Sequence, residues 1–146
     1  MSRDGVGAVP LAALRAPSGS RGDGGPPGGI TVLVVDDHLG FRRALESLIR
    51  NAGDLVLLGS ACDGEEAIRM TTQLRPRVVV MDLGMPGMDG VEATRRVRGR
   101  QRAPAVVALS GSHELIREAV AAGAAFAVLK DVDPGRLLEV IRAAGG

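Results

Sequence analysis

Five polar side chains stand directly behind apolar runs in this sequence. Asp36 and Asp37 follow Ile30–Val35, Asp82 follows Val78–Met81, Ser110 follows Pro104–Leu109, and Lys130 follows Ala125–Leu129. Taken singly, each reads as a residue that ends a strand and opens a turn, a place that Asp and Ser favour. Taken together they are a chemical set. Three carboxylates in one place cannot all stay ionised without a counter-charge. A hard divalent cation is the usual answer, and a site with few protein oxygens beside phosphate chemistry suits Mg²⁺. Such a metal polarises phosphoryl oxygens, while Ser110 and Lys130 supply a hydrogen bond and a charge to the same group. Asp82 is then the nucleophile, and a carboxylate that attacks phosphorus becomes an aspartyl phosphate.

For the set to assemble, the apolar runs must be neighbouring strands with their ends on one rim. The spacing predicts strands over Ile30–Val35, Leu55–Ala61, Arg77–Asp82, Pro104–Leu109 and Ala125–Leu129. Between and after them it predicts helices over Leu39–Ala52, Gly64–Leu74, Gly90–Arg98, His113–Ala122 and Pro134–Ala143. Gly53 and Gly123 sit where helix stops are expected, and Pro134 suits a first turn. Val78 to Met81 are apolar without alternation, as in a strand buried on both faces. Strands alternating with helices imply right-handed crossovers and an α/β, doubly wound, five-stranded parallel sheet. The expected strand order is 2-1-3-4-5, flavodoxin-like. Parallel neighbours lie about 4.8 Å apart, so Asp36 and Asp37 would stand beside Asp82, with Ser110 on its other side. Lys130, one strand further, reaches the same place with its four-carbon stem.

Composition narrows the remaining classes. With 146 residues the chain makes one domain at most, and a net charge of +1 gives no global pull toward nucleic acid or anionic membrane. No apolar run nears the ~20 residues of a membrane span. The single cysteine, Cys62, excludes an internal disulfide, suits a reducing compartment, and is expected to be a small core residue rather than a nucleophile. Residues 1–29, with Gly24-Gly25-Pro26-Pro27-Gly28-Gly29, are expected to form a disordered Gly/Pro-rich tail, without the apolar stretch of a secretory signal. Residues 30–146 are expected to be the folded domain.

Four segments carry a family resemblance: V-V-D-D-H at Val34–His38, M-D-L-G-M-P-G-M-D-G at Met81–Gly90, L-S at Leu109–Ser110 and L-K-D at Leu129–Asp131. In this order at strand ends, they resemble a bacterial response-regulator receiver domain, nearest the NarL/FixJ class. The resemblance runs from Ile30 to about Ala143. It implies that Asp82 is the phosphoacceptor, charged by a sensor histidine kinase or phosphotransfer protein. It implies Mg²⁺ held directly by Asp37, Asp82 and the backbone carbonyl of Gly84, with Asp36 acting largely through water. Ser110 and Lys130 would bind the phosphoryl group and relay its presence to a downstream protein effector. A cytoplasmic place follows, and the chain is expected not to be an enzyme, beyond a receiver's part in its own phosphorylation and dephosphorylation.

The sequence also departs from the family pattern. The switch position three before the lysine, usually aromatic, is Ala127, and the only aromatic nearby is Phe126, expected on the opposite face of the strand. Gly84 and Gly111 leave the rim around the phosphoryl group bare. No helix-turn-helix segment follows, so signalling is expected to pass through protein rather than through DNA bound by this chain. Two alternatives remain: a protein-binding module of receiver fold that works without phosphorylation, and an aspartate-based phosphohydrolase, weakened because Gly84 stands where its second acid would be. His38 is read as a loop residue rather than a phosphodonor, and His113 as an exposed helix start. The arginines from Arg95 to Arg102 are read as a solvated helix face, since no aromatic interleaves them. Gly84, Gly87 and Gly90 do not have the spacing of a dinucleotide fingerprint.

Overall fold

Valine-rich runs flanked by turn residues give short strands, and the amphipathic runs between them give helices that cover both faces of the sheet. The computed structural model describes residues 29–146. The strands are β1 (Ile30–Val35), β2 (Leu55–Ala61), β3 (Val78–Asp82), β4 (Ala105–Ser110) and β5 (Phe126–Leu129). The helices are α1 (Leu39–Arg50), α2 (Gly64–Leu74), α3 (Gly90–Arg98), α4 (His113–Ala121) and α5 (Pro134–Gly145). All pairings are parallel and the order is β2-β1-β3-β4-β5, as the sequence predicts.

Side-chain alternation splits the core in two. Leu33, Val35, Val79, Met81 and Ala127 face α2, α3 and α4, through Ala67, Ala93, Val97, Ile116 and Ala119. Val32, Val34, Val78, Val80 and Val128 face α1 and α5, through Leu45, Ile49, Leu137, Val140 and Ile141. β3, the central strand, is buried at every residue, so its end is fixed from both sides.

Four helices begin on a side-chain cap. His38 Nδ1, Asp63, Asp89 and Asp133 accept amides from the first turns of α1, α2, α3 and α5. Such a cap contributes about 1 kcal/mol. His38 therefore has a positive structural role, beyond that of a plain loop residue.

Several boundaries differ from expectation. α1 stops at Arg50: the Asn51 N–H still reaches Ser47 O, but the Ala52 N–H tightens to Ile49 O, and the turn buries Ala52. β4 begins at Ala105, since Pro104 brings no amide to the ladder. α5 runs on to Gly145, where a side chain would meet Ile30 and Val78. Apart from Gly29, the expected tail lies outside the described residues. Cys62 is a correction: it is exposed, one residue past β2, while Ala61 takes the core position. Its Sγ lies 3.3 Å from Glu66 Oε1. That bond and the Glu66 charge push the thiol pKa up, which disfavours the reactive thiolate.

Candidate functional site

The rim at the strand C-termini holds the site. β1 and β3 pair through Val35 and Met81, so the next residues, Asp36 and Asp82, lie side by side. Three short links fix the frame. Asp36 N–H donates to Ala61 O at 3.1 Å, Leu83 N–H to Leu109 O at 2.9 Å, and Lys130 N–H to Ser110 O at 2.8 Å. The Arg42 guanidinium of α1 also grips the Asp36 carbonyl at 2.9 Å.

Asp36 is fully buried and Asp82 is 5% exposed, whereas Asp37 faces solvent. The three offer carboxylate oxygens that all lie within 4.8 Å of one another. Lys130 Nζ sits 3.2 Å from Asp36 Oδ2 and 3.3 Å from Asp82 Oδ1. Asp36 Oδ1 accepts the His38 amide at 2.8 Å, but Asp36 Oδ2 has no aligned hydrogen bond. The Lys130 contact is thus an ion pair of poor hydrogen-bond direction, and one buried oxygen keeps a lone pair to offer. A small hard cation fits this set: oxygen donors, excess negative charge and an unsatisfied buried acceptor.

The electrostatics agree. Burial raises the Asp82 pKa; the Gly84 amide, 3.2 Å from Oδ1, opposes that, and the Asp36 charge adds to the rise. Burial works against the Lys130 ammonium, yet Asp82 and Asp36 overcome it and hold its pKa above the ordinary value. Lys130 also lies 4.4 Å from the centroid of the Phe41 ring, a cation–π contact that steadies its stem. Neither Phe41 nor Arg42 was singled out from the sequence as belonging to the site. Their signal was their place in the first turn of the helix that follows Asp37.

Ser110 is brought to the rim, fully buried, but its hydroxyl is engaged elsewhere. Oγ donates to Ser112 O at 2.7 Å and accepts from Ser112 N–H at 2.9 Å. Gly84 and Gly111 leave open space: a Cβ at Gly84 would come no nearer than 4.0 Å to Asp82, and one at Gly111 would meet nothing. Ala127 is buried on the α2–α4 side, while Phe126 packs on the α1–α5 side. The β4–β5 register runs without a shift, so no bulge moves Phe126 into the place of Ala127.

The arginine run does not form one helix face. Arg95 and Arg96 pair with Glu92 at 2.5 and 2.9 Å. α3 ends at Arg98, which turns to carbonyls at Gly123 and Pro104.

Comparison with known proteins agrees with this geometry. The family model for the response regulator receiver domain matches residues 32–142. The chain is 34% identical over 117 residues to the transcriptional regulatory protein LiaR of Bacillus subtilis, covering 79% of this chain and 56% of that protein. It is 34% identical over 116 residues to the nitrate/nitrite response regulator NarL of Escherichia coli K12, covering 78% and 54%. The chain thus spans about half the length of these relatives. The response regulator domain of Thermotoga maritima CheB superposes with a TM-score of 0.74 at 31% identity, over 80% of this chain and 96% of that one.

The expectation that the chain is not an enzyme is overturned as a reading of such a receiver. A protein-glutamate methylesterase/protein-glutamine glutaminase of Myxococcus xanthus is 36% identical over 126 residues, which is 78% of this chain and 36% of that larger protein. The same fold is joined to different outputs, so the receiver alone does not exclude enzymatic activity. With motif order, strand order and acidic rim all in agreement with the matched family, this chain belongs to the response regulator receiver domains of two-component systems.

Proposed function

We propose that the chain is a phospho-acceptor switch in which Asp82 takes a phosphoryl group from a sensor histidine kinase or phosphotransfer protein. The observation that carries this reading is one buried strand-end carboxylate, Asp82, flanked by Asp36, Asp37 and Lys130. Asp37, Asp82 and the Gly84 carbonyl would hold Mg²⁺, with Asp36 acting through water. The ion, when bound, offsets the carboxylate charges and those of the incoming phosphoryl oxygens. An Asp82 carboxylate oxygen forms the new bond to phosphorus while the donor's leaving group departs with its bonding pair, leaving an acyl phosphate. Lys130 exchanges part of its pairing with Asp82 for the phosphoryl oxygens. Ser110 must release Ser112 before its hydroxyl can bond the same group.

A receiver of this kind works in the cytoplasm; among the described residues no helix is long and apolar enough to cross a membrane. It hands its state to a downstream protein effector. Direct recognition of DNA lies outside this reading, and protection of a defined promoter at physiological salt would contradict that. The test of the main reading is incubation of the full chain with Mg²⁺ and a small acyl phosphate, followed by intact mass. One added phosphoryl group is expected, with none when the metal is chelated.

Two further outcomes follow from the site. Mg²⁺ is expected to raise the melting temperature, as any ligand of the native state does. Asp37→Ala should weaken Mg²⁺ at least tenfold by isothermal titration, and an unchanged affinity would remove Asp37 from the metal site. The second outcome concerns Ala127, whose methyl has no rotamer to change. A phosphoryl mimic should shift backbone amides strongly in the β1–α1 and β3–α3 loops and weakly across α4 and β5. Equal shifts in both regions would show that the protein switches without an aromatic.

A further inference from the structure

At the edge of the sheet opposite the acidic rim lies an open cleft of about 1000 Å³. The two sites are separated by the length of β3, roughly 15 Å for its residues at ~3.3 Å each. The cleft is built from loops. Arg75 and Arg77 come from the α2–β3 loop, and Arg98, Arg100 and Arg102 from the end of α3 and the α3–β4 loop. No Asp or Glu lines it, and none of these five arginines joins a salt bridge among the described residues. Its lining side chains thus carry five positive charges and no negative one, against the single terminal carboxylate of Gly146.

The arginines divide by task. Arg77 holds the Gly145 carbonyl at 2.6 Å, and Arg98 holds Gly123 and Pro104 at 3.1 and 3.0 Å. These two tie the walls together. Arg100 reaches Thr72 Oγ1 of α2 across the cleft. Arg75 and Arg102 have no side-chain partner among the described residues, and each stands at positive φ, 51° and 55°. Non-glycine residues enter this left-handed region at a cost of roughly 1 kcal/mol or more, and here both turns carry a free guanidinium to the same space.

We propose that this cleft is a second ligand site that binds a linear polyphosphate group, either free or as the phosphate chain of a nucleotide. Guanidinium forks bond phosphate oxygens in pairs, and several of them around one cavity match several phosphates better than one. No aromatic side chain lines the cleft, so nothing there offers a stacking face for a base. The recognised part is therefore the phosphate chain. This site is independent of Asp82.

The test is isothermal titration of the full chain in EDTA with inorganic tripolyphosphate, ATP, orthophosphate and a short oligo-dT. Tripolyphosphate should bind at one site per chain, at least tenfold tighter than orthophosphate. The double variant Arg75→Gln/Arg102→Gln should lose at least tenfold, while Arg69→Gln, outside the cleft, and Asp82→Asn should bind as the native chain does. The double variant changes no contact to a wall, and its circular dichroism melt should match the native one. ATP as tight as tripolyphosphate assigns the site to nucleotide phosphates; ATP much weaker assigns it to free polyphosphate. Absence of saturable tripolyphosphate binding, equal losses in Arg69→Gln, or tighter binding of oligo-dT at equal phosphate content would overturn the proposal.

Discussion

Asp82→Asn is expected to remain folded and to lose phosphoryl uptake by at least a hundredfold. Asparagine keeps the shape of the side chain but offers no carboxylate oxygen to phosphorus. Stability should hold or rise, because the native fold keeps the Asp82 charge against burial and against the neighbouring Asp36. The sign can be checked by pH. A carboxyl whose pKa is raised on folding binds its proton more tightly in the native state. Its contribution is therefore greatest in acid, and is lost as pH rises from the unfolded to the folded pKa. In chelator, the native chain should lose stability across that interval, and Asp82→Asn should lack this step. Uptake that persists undiminished in the variant would remove Asp82 as acceptor.

The second large effect comes from a glycine. Gly90 opens α3 directly against the end of β3. A Cβ there would fall on the Asp82 carbonyl oxygen, 2.5 Å from Leu83 Cα and 2.9 Å from the Asp82 carbonyl carbon. All three are backbone atoms, so no side chain can move aside. Overpacking of a core costs about 1–3 kcal/mol, sometimes more, and Gly90→Ala should lie at about 3 kcal/mol or above. The displaced backbone is that of Asp82 and Leu83, so phosphoryl uptake should fall as well. Gly111→Ala, which meets nothing within 4 Å, should stay within about 0.5 kcal/mol. Urea denaturation followed by circular dichroism measures both, since the chain has no Trp or Tyr. Equal midpoints for the two variants would contradict the close approach at Gly90.

The acidic rim was legible because each apolar run stops at a polar residue that the sheet brings to one end. Strand order then places Asp36, Asp82, Ser110 and Lys130 without any need for loop detail. What stayed hidden depends on contacts between distant segments. Phe41 read only as an apolar helix position, yet it lies against Lys130 across the rim. Cys62 read as the end of a buried run, because sequence alone does not show that β2 closes at Ala61. The arginines from Arg95 to Arg102 read as one face, because nothing local says that α3 stops at Arg98. Beyond that point, two left-handed turns bring Arg75 and Arg102 to one cleft from loops 27 positions apart in sequence. Ser110 was placed correctly on the rim, but its bond to Ser112 is a side-chain choice that spacing does not encode.

In the proposed reaction one particular carboxylate, that of Asp82, receives phosphorus. Borohydride reduction converts an aspartyl phosphate to homoserine and leaves free carboxylates unchanged. The phosphorylated full chain is reduced, digested and mapped by peptide mass spectrometry. The expected result is homoserine at position 82 alone, in samples that contained Mg²⁺. Homoserine at position 36 or 37, or a phosphate retained on Ser110, His38 or His113, would contradict it.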